Sequence, residues 1–448
     1  MKHLLFTLLF GIAVITNQPA MAQTKSEVVH PAWTKNATIY EANIRQHSKE
    51  GSFQKFQAYL PELKKMGVKV IWIMPINPIG EKNRKGELGS YYAVRDYRGV
   101  NPEFGTPADF KRLVKAIHAQ GMYVIIDWVA NHTAWDHAWA TQHPEYYKKD
   151  KDGKFVPPVP DWADVISLDY SNQKVRKEMI DAMRFWLTEY DIDGFRCDVA
   201  AMVPTDFWNE TRKELDKTKK VFMLAEAHEF ELHEKAFDMT YAWKHKDLFN
   251  DIAKQKKSVK DLDAYLNGEE QHYHPNAYRM LHITNHDLNS WEGTEFERLG
   301  DGVEAFLVLS NIMKGMPLMY SGQEAGNNKA LNFFDRDPIV WKAHPFKALY
   351  TKLFQLKKTN KALWNGVAGG EMQRINTGSD EHVFAFSREK SSNKVIAIFN
   401  LSNQAHSAEI KTAFTKTTLR DFSNGAKAPQ GENIQIHLQP WEYKVFVK

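Results

Sequence analysis

The stretch GFRCD at residues 194–198 ends a β-rich run with a charged cluster, and three other stretches of the chain have the same design. These are DWVANH at 127–132, LAE at 224–226 and TNHD at 284–287, each following or overlapping an apolar run. A (β/α)8 barrel builds its active site from polar groups at the carboxyl ends of several buried parallel strands. The pattern therefore predicts an enzyme whose site lies at the strand ends of such a barrel.

Strand-like runs alternate with amphipathic helical stretches over most of the chain, which predicts the α/β class and a (β/α)8 TIM barrel. The eight predicted strands are Ile39 to Ile44, Val68 to Pro75, Met122 to Trp128, Gly194 to Val199, Val221 to Ala225, Met239 to Ala242, Leu281 to Thr284, and Pro317 to Tyr320. The predicted helices between them include Phe53 to Met66, Pro107 to Gln120, and Val175 to Tyr190.

Two segments depart from this rhythm. The connection at 132–167 is long, rich in aromatic residues and without obvious helix, a kind of loop that is usually functional. After about Ala362 short alternating strands are divided by Gly, Asn and Ser, which predicts an antiparallel β-sandwich. Its predicted strands are His382 to Arg388, Lys394 to Leu401, Ala408 to Lys411, Thr418 to Phe422, Ile434 to Leu438 and Tyr443 to Val447. The predicted domains are a barrel at 30–131 and 168–361, a small inserted domain at 132–167, and a sandwich at 362–448.

Composition and the N-terminal segment limit which partners and which cellular location are expected. The net charge is +4, from 59 basic and 55 acidic residues, so no strong field favours nucleic acid. Residues 1–22 have the charged, apolar and small-residue parts of a secretory signal, and the apolar run is shorter than the ~20 residues that span a bilayer. We expect a secreted or periplasmic protein with no membrane insertion after signal cleavage. The oligomeric state stays open.

In sequence, order and spacing, the four stretches resemble the signature regions of the α-amylase family of glycoside hydrolases (glycoside hydrolase family 13). Residues 67–76 and 315–324 resemble the family's second and eighth strands. The resemblance implies a barrel, a small domain B after the third strand that walls the substrate cleft, and a C-terminal β-sandwich. It also implies a retaining glycosidase.

Two carboxyl groups fit the chemistry of retention, which needs one nucleophile and one acid/base about 5.5 Å apart. Asp198 and Glu226 are separated by about one helix plus one strand, so neighbouring strands could point both into one cleft. Arg196 projects to the same side of its strand as Asp198 and would keep that carboxylate ionised. The resemblance makes Asp198 the nucleophile and Glu226 the acid/base. It gives Asp287 the tasks of gripping sugar hydroxyls and keeping Glu226 protonated.

The resemblance also implies a set of substrate-binding residues. His132 and His286 match the family's two histidines that bind sugar hydroxyls, and Asp127 matches the acid of the first region. Tyr92 falls on the aromatic residue that stacks on the sugar at the cleavage point, whereas Tyr91 would pack against the scaffold. Arg196 completes the predicted set.

The chain departs from the family pattern at the usual structural calcium site. That site uses the asparagine of the first region, here Asn131, and an aspartate whose position is taken by Ser167. Asp169 follows two residues later, but we assign it no ligand role. No metal ligand is therefore assigned and no cofactor is certain, with calcium left as an incomplete candidate. We expect activity to survive a strong chelator.

The sequence predicts a hydrolase of α-1,4-linked α-glucans or malto-oligosaccharides such as starch and maltodextrin. One alternative is a member that cleaves α-1,6 bonds or transfers glucosyl groups, as a trehalose-forming enzyme does. Val199 favours this alternative, because a valine directly after the nucleophile is typical of α-1,6 preference in the oligosaccharide-cleaving branch of the family. An alternative of another class is an inactive homologue that binds glycans or scaffolds a partner.

Overall fold

The computed structural model describes residues 26–411 and 418–448, so the predicted signal peptide lies outside the described residues. Eight parallel strands close into a barrel in the order β1-β2-β3-β6-β7-β8-β9-β10, and β10 pairs back with β1. The strands are β1 Ile39–Ala42, β2 Val70–Ile73, β3 Tyr123–Trp128, β6 Gly194–Cys197, β7 Phe222–Ala225, β8 Met239–Tyr241, β9 Tyr278–Leu281 and β10 Met316–Tyr320, with β4 His132–Ala134 and β5 Val165–Ser167 between β3 and β6. The predicted barrel is confirmed.

Helices connect the barrel strands, and local capping sets their ends. Helix α2 begins after Ser52, whose hydroxyl accepts the Lys55 N–H at 3.4 Å, and ends at Gly67 with φ 100°. The helices are α1 Ile44–His47, α2 Phe53–Met66, α3 Pro107–Ala119, α4 Ala138–Gln142, α5 Gln173–Glu189, α6 Thr205–Leu215, α7 Leu232–Lys235, α8 Trp243–Ala253, α9 Val259–Asn267, α10 Glu295–Leu299, α11 Val303–Ile312 and α12 Pro345–Thr359. In the described part of the chain, no helix is long and apolar enough to cross a membrane.

The seventh barrel strand differs from the prediction. It was expected at Leu281 to Thr284, but β9 spans Tyr278–Leu281 and pairs with β8 and β10 there. The charged side chain of Arg279 interrupts the apolar run, so the sequence did not predict a strand at this position. In the structure the Arg279 side chain is buried and contacts Thr240 on β8. Because β9 ends earlier than predicted, the cluster that contains Asp287 lies on a connection beyond the strand.

The segment between β3 and α5 is closed by its own antiparallel pair, in which His132 lies opposite Ser167 and Ala134 opposite Val165. The expectation that this segment lacks helix was wrong, because it contains α4 and a 3-10 turn at Pro144–Tyr146. The turn of α4 is set by the His137 side chain, which accepts the Trp139 N–H at 3.1 Å. The segment therefore stands on the barrel rim as a compact, aromatic-packed unit.

The C-terminal region consists of antiparallel sheets, as predicted. A five-stranded sheet of order β11-β12-β13-β17-β15 and a β14-β16 pair share a core that includes Val383, Ile396, Ile410 and Ile436. The strands are β11 Met372–Ile375, β12 Val383–Lys390, β13 Asn393–Asn400, β14 His406–Lys411, β15 Arg420–Asp421, β16 Asn433–Leu438 and β17 Tyr443–Val447. β11 was not predicted, because its residues are half-buried or exposed and give no clear alternation.

One glycine brings together the two strands that carry the predicted carboxyl pair. A Cβ on Gly194 would lie 1.9 Å from the carbonyl oxygen of Phe222, and the residue has φ 156°. Only glycine allows this approach of β6 to β7 at the start of both strands. The close pairing continues to the other end, where Asp198 and Glu226 follow.

Candidate active site

Asp198 and Glu226 are the first residues beyond two paired barrel strands. Cys197 lies opposite Ala225 in the ladder, so the next residue of each strand emerges at the same level. The Asp198 N–H donates to the carbonyl oxygen of Trp128, and the Glu226 N–H donates to that of Cys197, both at 2.9 Å. The backbone of the barrel therefore fixes where both carboxyl groups start.

Arg196 joins three carboxyl groups beneath the cavity floor. Its buried guanidinium has Nη1 at 2.9 Å from Asp127 Oδ1 and at 3.0 Å from Asp198 Oδ1. Nη2 lies 2.9 Å from Glu226 Oε1, and Nε donates to the Tyr241 hydroxyl at 3.1 Å. One permanent positive charge is thus shared among three acids, which lowers the cost of burying them together.

Asp127 is the most deeply anchored of these acids. Its Oδ2 accepts the indole N–H of Trp72 and the hydroxyl of Tyr92, each at 3.1 Å. Burial raises the pKa of Asp127 to about 6, although Arg196 opposes the shift. With both oxygens engaged by protein donors, Asp127 holds Arg196 and Tyr92 in place and has no oxygen free to react.

Burial and neighbouring charges shift the pKa values of the two carboxyl groups in opposite directions. Burial and the nearby Glu226 raise the pKa of Asp198 well above its usual range. Burial would also raise the pKa of Glu226, but Arg196 and the Val199 N–H, which donates to Oε2 at 2.7 Å, lower it overall. Arg196 lowers the pKa of both acids, as expected for Asp198. That Asp287 keeps Glu226 protonated stays a prediction.

The two carboxyl groups share one cation and open into one cavity. Nη1 of Arg196 lies 3.0 Å from Asp198 Oδ1 and Nη2 lies 2.9 Å from Glu226 Oε1, so the two acids are held side by side. Acids that interact strongly titrate as a unit and not independently. The separation of about 5.5 Å expected for a retaining pair stays a prediction.

Val199 has a strained backbone at this point. Its φ of 36° and ψ of 48° lie in the left-handed region, which is rare for a β-branched residue and costs about 1–3 kcal/mol. This conformation turns the Val199 N–H toward Glu226 while the side chain lines the cavity. The strained conformation of Val199 therefore occurs where its N–H contacts Glu226, the predicted acid/base.

His286 is held by a buried acid that the sequence did not reveal. Its Nδ1 lies 2.5 Å from Glu41 Oε1 on β1, and its Nε2 lies 2.8 Å from the Tyr92 hydroxyl and 3.2 Å from Asp287 Oδ2. Burial alone would lower the pKa of His286, but Asp287 and Glu41 raise it to about 9. Burial also raises the pKa of Glu41. The two shifts agree that a proton stays between Glu41 and His286 across the neutral range.

Asp287 and His132 both line the cavity but differ in exposure. The Asp287 side chain is 41% exposed, so it is the most accessible of the three predicted catalytic acids. His132 is buried, which lowers its pKa to about 4, and its ring lies 5.6 Å from that of Trp162. His132 is therefore neutral and can either donate or accept a hydrogen bond.

The adjacent tyrosines separate as the sequence suggested. The Tyr92 ring lines the cavity and stacks on His286 at a centroid distance of 5.6 Å. Tyr91 is buried, and the Arg45 guanidinium lies over its ring at 4.1 Å. Tyr92 is the one that a ligand can reach.

The carboxyl pair, Asp287, Tyr92 and both histidines open into one cavity of about 460 Å³. Arg196 and Asp127 lie beneath it. The lining also includes Val199, which the sequence marked for linkage preference, and Trp162 of the inserted segment. Sequence reasoning did not assign the rest of the lining, which includes Lys85, Asp161, Asp164, Trp291, Phe333 and Phe334. Trp291 could have been suspected from its place just after Asp287, whereas nothing in the sequence marks the two phenylalanines. A larger cavity of about 710 Å³ lies between the barrel and the C-terminal sheet and contains none of the predicted site residues.

The residues at the family's usual calcium position do not fit a calcium ion of that type. The Asn131 amide nitrogen lies 3.3 Å from His132 Nδ1, and Ser167 supplies no carboxylate. Asp169 Oδ1 is engaged by the Ser171 N–H at 3.0 Å in a local turn. Within 26–411 and 418–448, no group of three or more His, Cys, Asp or Glu residues could hold a metal ion.

Comparison with known families gives two matches. The model described as "Alpha amylase, catalytic domain" matches residues 36–162 and 160–344, and "Maltogenic Amylase, C-terminal domain" matches residues 372–445. Together they cover the barrel, the inserted segment and most of the C-terminal sheets.

Individual relatives agree with these matches. The chain is 26% identical to the α-amylase MalA of Haloarcula japonica, over 88% of this chain but only 59% of that protein. It is 24% identical to an oligo-1,6-glucosidase of Parageobacillus thermoglucosidasius, over 66% of each chain. The crystal structure of a noncanonic maltogenic α-amylase, AmyB, from Thermotoga neapolitana superposes with a TM-score of 0.84 at 30% identity, covering 93% of this chain and 99% of that one. The chain belongs to the α-amylase family of glycoside hydrolases, and it is a glycosidase of that family.

Proposed function

We propose that the protein hydrolyses α-1,4-glucosidic bonds of starch, maltodextrin or related α-glucans by double displacement with retention. One observation carries the proposal: Asp198, Glu226 and Asp287 open into a single cavity whose walls include Tyr92 and Trp291. Flat aromatic walls suit sugar rings, and a pair of acids held by Arg196 suits the charge changes of glycoside cleavage.

In the first step, an oxygen of Asp198 forms a bond to the anomeric carbon while the bond to the glycosidic oxygen breaks. Glu226 gives its proton to that oxygen, so the leaving sugar departs with a hydroxyl group. In the second step, Glu226 takes a proton from water, whose oxygen displaces Asp198 from the anomeric carbon. Two inversions restore the original α configuration.

This reaction needs the proton on Glu226 and the charge on Asp198. Because Arg196 contacts both acids, exchange of the proton between them leaves the net charge around Arg196 unchanged. A glycosidic oxygen near Glu226 would favour the reactive state, since it accepts a hydrogen bond only from the protonated acid.

The remaining residues bind and position the sugar. Asp287 and the protonated His286 offer an acceptor and a charged donor to sugar hydroxyl groups. Neutral His132 offers a further ring nitrogen, and Tyr92 supplies the stacking surface. Arg196 holds the carboxyl groups from below.

Cleavage of α-1,6 bonds, or glucosyl transfer, is the second candidate. Val199 lines the cavity directly beside the carboxyl pair, and one relative is named an oligo-1,6-glucosidase. The open, aromatic walls favour a glucan chain over a short sugar in a closed pocket. An inactive glycan-binding role is disfavoured, because such a protein has no need to keep buried acids in one network around Arg196.

Chromatography of products over time separates these candidates. Starch, maltoheptaose, isomaltose, panose and maltose should be incubated separately with the protein. We expect maltoheptaose and starch to be shortened well before isomaltose is cleaved. Faster cleavage of isomaltose or of the α-1,6 bond in panose would favour the second candidate, longer products would favour transfer, and no products would favour an inactive homologue.

We also propose that the protein is exported and that residues 1–22 are removed, on the basis of the signal-like N-terminal sequence. Fractionation of the producing cells and mass spectrometry of the purified chain test this. The expected mature chain begins at Gln23 and is found outside the cytoplasm. A full-length cytoplasmic chain would contradict the proposal.

A further inference from the structure

A loop at residues 80–90 spans one end of the active-site cavity, from the inserted segment to the connection that follows β10. We call it the 80–90 bridge, and its Lys85 lines the cavity. We propose that this bridge closes the cavity to a continuing glucan chain, so the protein removes short sugars from chain ends instead of cutting within the chain. The proposal rests on the proposed function, because it concerns where along an α-glucan the same site acts.

The first half of the bridge is joined to the inserted segment. The Glu81 N–H donates to Asp136 Oδ2 at 2.9 Å. The Lys85 ammonium group donates to the Asp161 carbonyl oxygen at 2.5 Å, and its Nζ lies 3.3 Å from Asp164 Oδ1. Asp161 and Asp164 also line the cavity, so these contacts lie at its rim.

The second half of the bridge packs on the connection that follows β10. The Leu88 N–H donates to the Phe334 carbonyl oxygen at 3.1 Å, and the Glu87 N–H donates to Asp335 Oδ1 at 2.7 Å. Gly86 has φ 65°, and a Cβ there would lie 2.5 Å from the Phe334 Cβ. Only glycine suits both the backbone angle and the close approach. Because Phe334 lines the cavity, the bridge joins the rim on this side as well.

A buried arginine makes the bridge rigid. The Arg45 guanidinium donates to the Gly89 carbonyl oxygen at 2.9 Å and to the Phe333 carbonyl oxygen at 3.4 Å, so one side chain holds the bridge and its neighbour. Glu103 accepts from Nε and Nη2 of Arg45, each at 2.8 Å, in a bidentate pair. Opening the bridge here would disturb a buried, paired charge, which is strongly unfavourable. The bridge is therefore a fixed part of the cavity and not a lid.

The bridge continues directly into Tyr92, and this sets which end of a glucan is enclosed. The Tyr92 N–H donates to Ser90 Oγ at 3.1 Å, so the stacking ring is tied to the bridge. In the proposed reaction, the sugar that Asp198 attacks lies on Tyr92, whereas the leaving sugar takes its proton from Glu226. The bridge therefore encloses the attacked sugar and any units on its non-reducing side, while the leaving part of the chain extends away past Glu226.

The size and lining of the cavity agree with an enclosed chain end. Its volume of about 460 Å³ lies in the lower part of the range of about 300–1,000 Å³ that is typical of ligand sites. The rings of Tyr92 and Phe333 stack at a centroid distance of 6.2 Å, so aromatic surface continues from the attacked sugar toward the bridge. A long glucan is still a substrate, because only its end must enter.

A substrate that is blocked at its non-reducing end tests the proposal on the full chain. An aryl maltoheptaoside should be offered with a free terminal sugar and, separately, with a bulky cyclic acetal on that sugar. Wild type should cleave the free substrate into a short free sugar and a long aryl product. It should cleave the blocked substrate about a hundredfold more slowly, because the added group meets the bridge.

Lys85→Ala removes the side chain that reaches the inserted segment. Relative to the free substrate, this variant should cleave the blocked substrate about tenfold faster than wild type does. The ratio of the two rates does not change when activity falls generally, so it separates enclosure from an effect on folding. On starch, the variant should lose iodine staining faster for each reducing end released.

Lys82→Ala is the matched control on the same loop. The Lys82 ammonium group lies over the Trp135 ring at 5.5 Å and does not line the cavity, so this variant should keep the wild-type ratio. Equal cleavage of both substrates by wild type, or first cleavage of the free substrate near its middle, would overturn the proposal. A wild-type ratio in Lys85→Ala would overturn it too.

An α-1,6-linked substrate separates failure of this proposal from failure of the proposed function. An aryl isomaltotrioside should be offered in the same free and blocked forms. If wild type cleaves neither maltoheptaoside but cleaves the free isomaltotrioside and not the blocked one, the proposed α-1,4 activity fails while enclosure of the chain end stands.

Discussion

The two walls of the active-site cavity are built differently. On one wall, Asp198 and Glu226 directly follow paired strands, and backbone hydrogen bonds of 2.9 Å fix their positions. On the other wall, His286 lies beyond β9 and is held through side chains, above all by Glu41 on β1. The backbone therefore positions the reacting groups, whereas one buried side-chain pair positions His286. Substitutions on the two walls should have different consequences.

The largest effects should come from the first wall. Glu226→Gln and Asp198→Asn should leave the fold intact and lower kcat on maltoheptaose roughly ten-thousandfold, because each removes one half of the double displacement. Circular dichroism checks the fold and single-turnover assays check the rate. A folded Asp198→Asn variant of near-normal activity would remove the assignment of the nucleophile.

A substrate with a good leaving group distinguishes the two variants. Such a group needs little protonation, so Glu226→Gln should regain much of its first-step rate on an activated aryl maltoside. Asp198→Asn should stay inactive on the same substrate. Equal recovery of both variants would contradict the separate roles.

The second wall should respond more moderately. Glu41→Gln removes the charged partner of His286, and a charge-assisted hydrogen bond is worth about 1.5–3 kcal/mol, so kcat/KM should fall about 10- to 100-fold. Glu62→Gln, which breaks an exposed ion pair on α2, is the control and should leave kcat/KM unchanged. Equal kinetics for Glu41→Gln and wild type would show that the pair does not position His286.

The same variant should change how stability depends on pH. His286 has a pKa of about 9 in the folded chain, above its ordinary 6.5, so the folded state binds the extra proton. Its contribution to stability is complete below pH 6.5 and is lost as pH rises through 9. Urea unfolding across this interval should show a smaller loss for Glu41→Gln than for wild type, and NMR titration should show a lower pKa for His286.

A smaller effect is expected at the mouth of the cavity. Trp291 is exposed, lines the cavity and packs on Phe333 and Phe334 at 5.3 and 5.8 Å, so we expect it to bind sugar rings and not to take part in the chemical step. Trp291→Ala should raise KM for maltoheptaose about two- to tenfold, with kcat nearly unchanged. A fall in kcat without a change in KM would place Trp291 in the chemical step.

The smallest effect should come from a chelator. Ser167 supplies no carboxylate and Asp169 is engaged in a turn, so neither wall depends on a calcium ion held there. Activity and thermal midpoint should be unchanged by excess EDTA. Loss of activity that only calcium restores would show that other residues hold the ion.

The sequence predicted the first wall well and the second wall less well. Strand-end positions can be identified from an apolar run followed by an acid, and this is how Asp198 and Glu226 are found. Glu41 interrupts the apolar residues of β1, which is a signal of a buried acid with a task. Its partner cannot be inferred, because His286 lies far away in the sequence and meets Glu41 only after the barrel closes.

The lowered pKa of Glu226 was not predictable for a related reason. It depends on Arg196 and also on the Val199 N–H, which reaches Glu226 only through a left-handed conformation that a valine rarely adopts. The C-terminal strands alternate clearly and were predicted, except for β11, which gains its order from pairing with β12. Local sequence patterns thus predicted most strands and the catalytic acids. Contacts between residues that are distant in the sequence determine the pKa values of those acids.

The anomeric configuration of the first product tests the central claim most directly. Proton NMR should follow wild-type hydrolysis of maltoheptaose from the earliest turnovers, before mutarotation mixes the anomers. Double displacement by Asp198 and Glu226 predicts that the α-anomer appears first and the β-anomer accumulates later. A product that appears first as the β-anomer would mean a single displacement and would contradict the account.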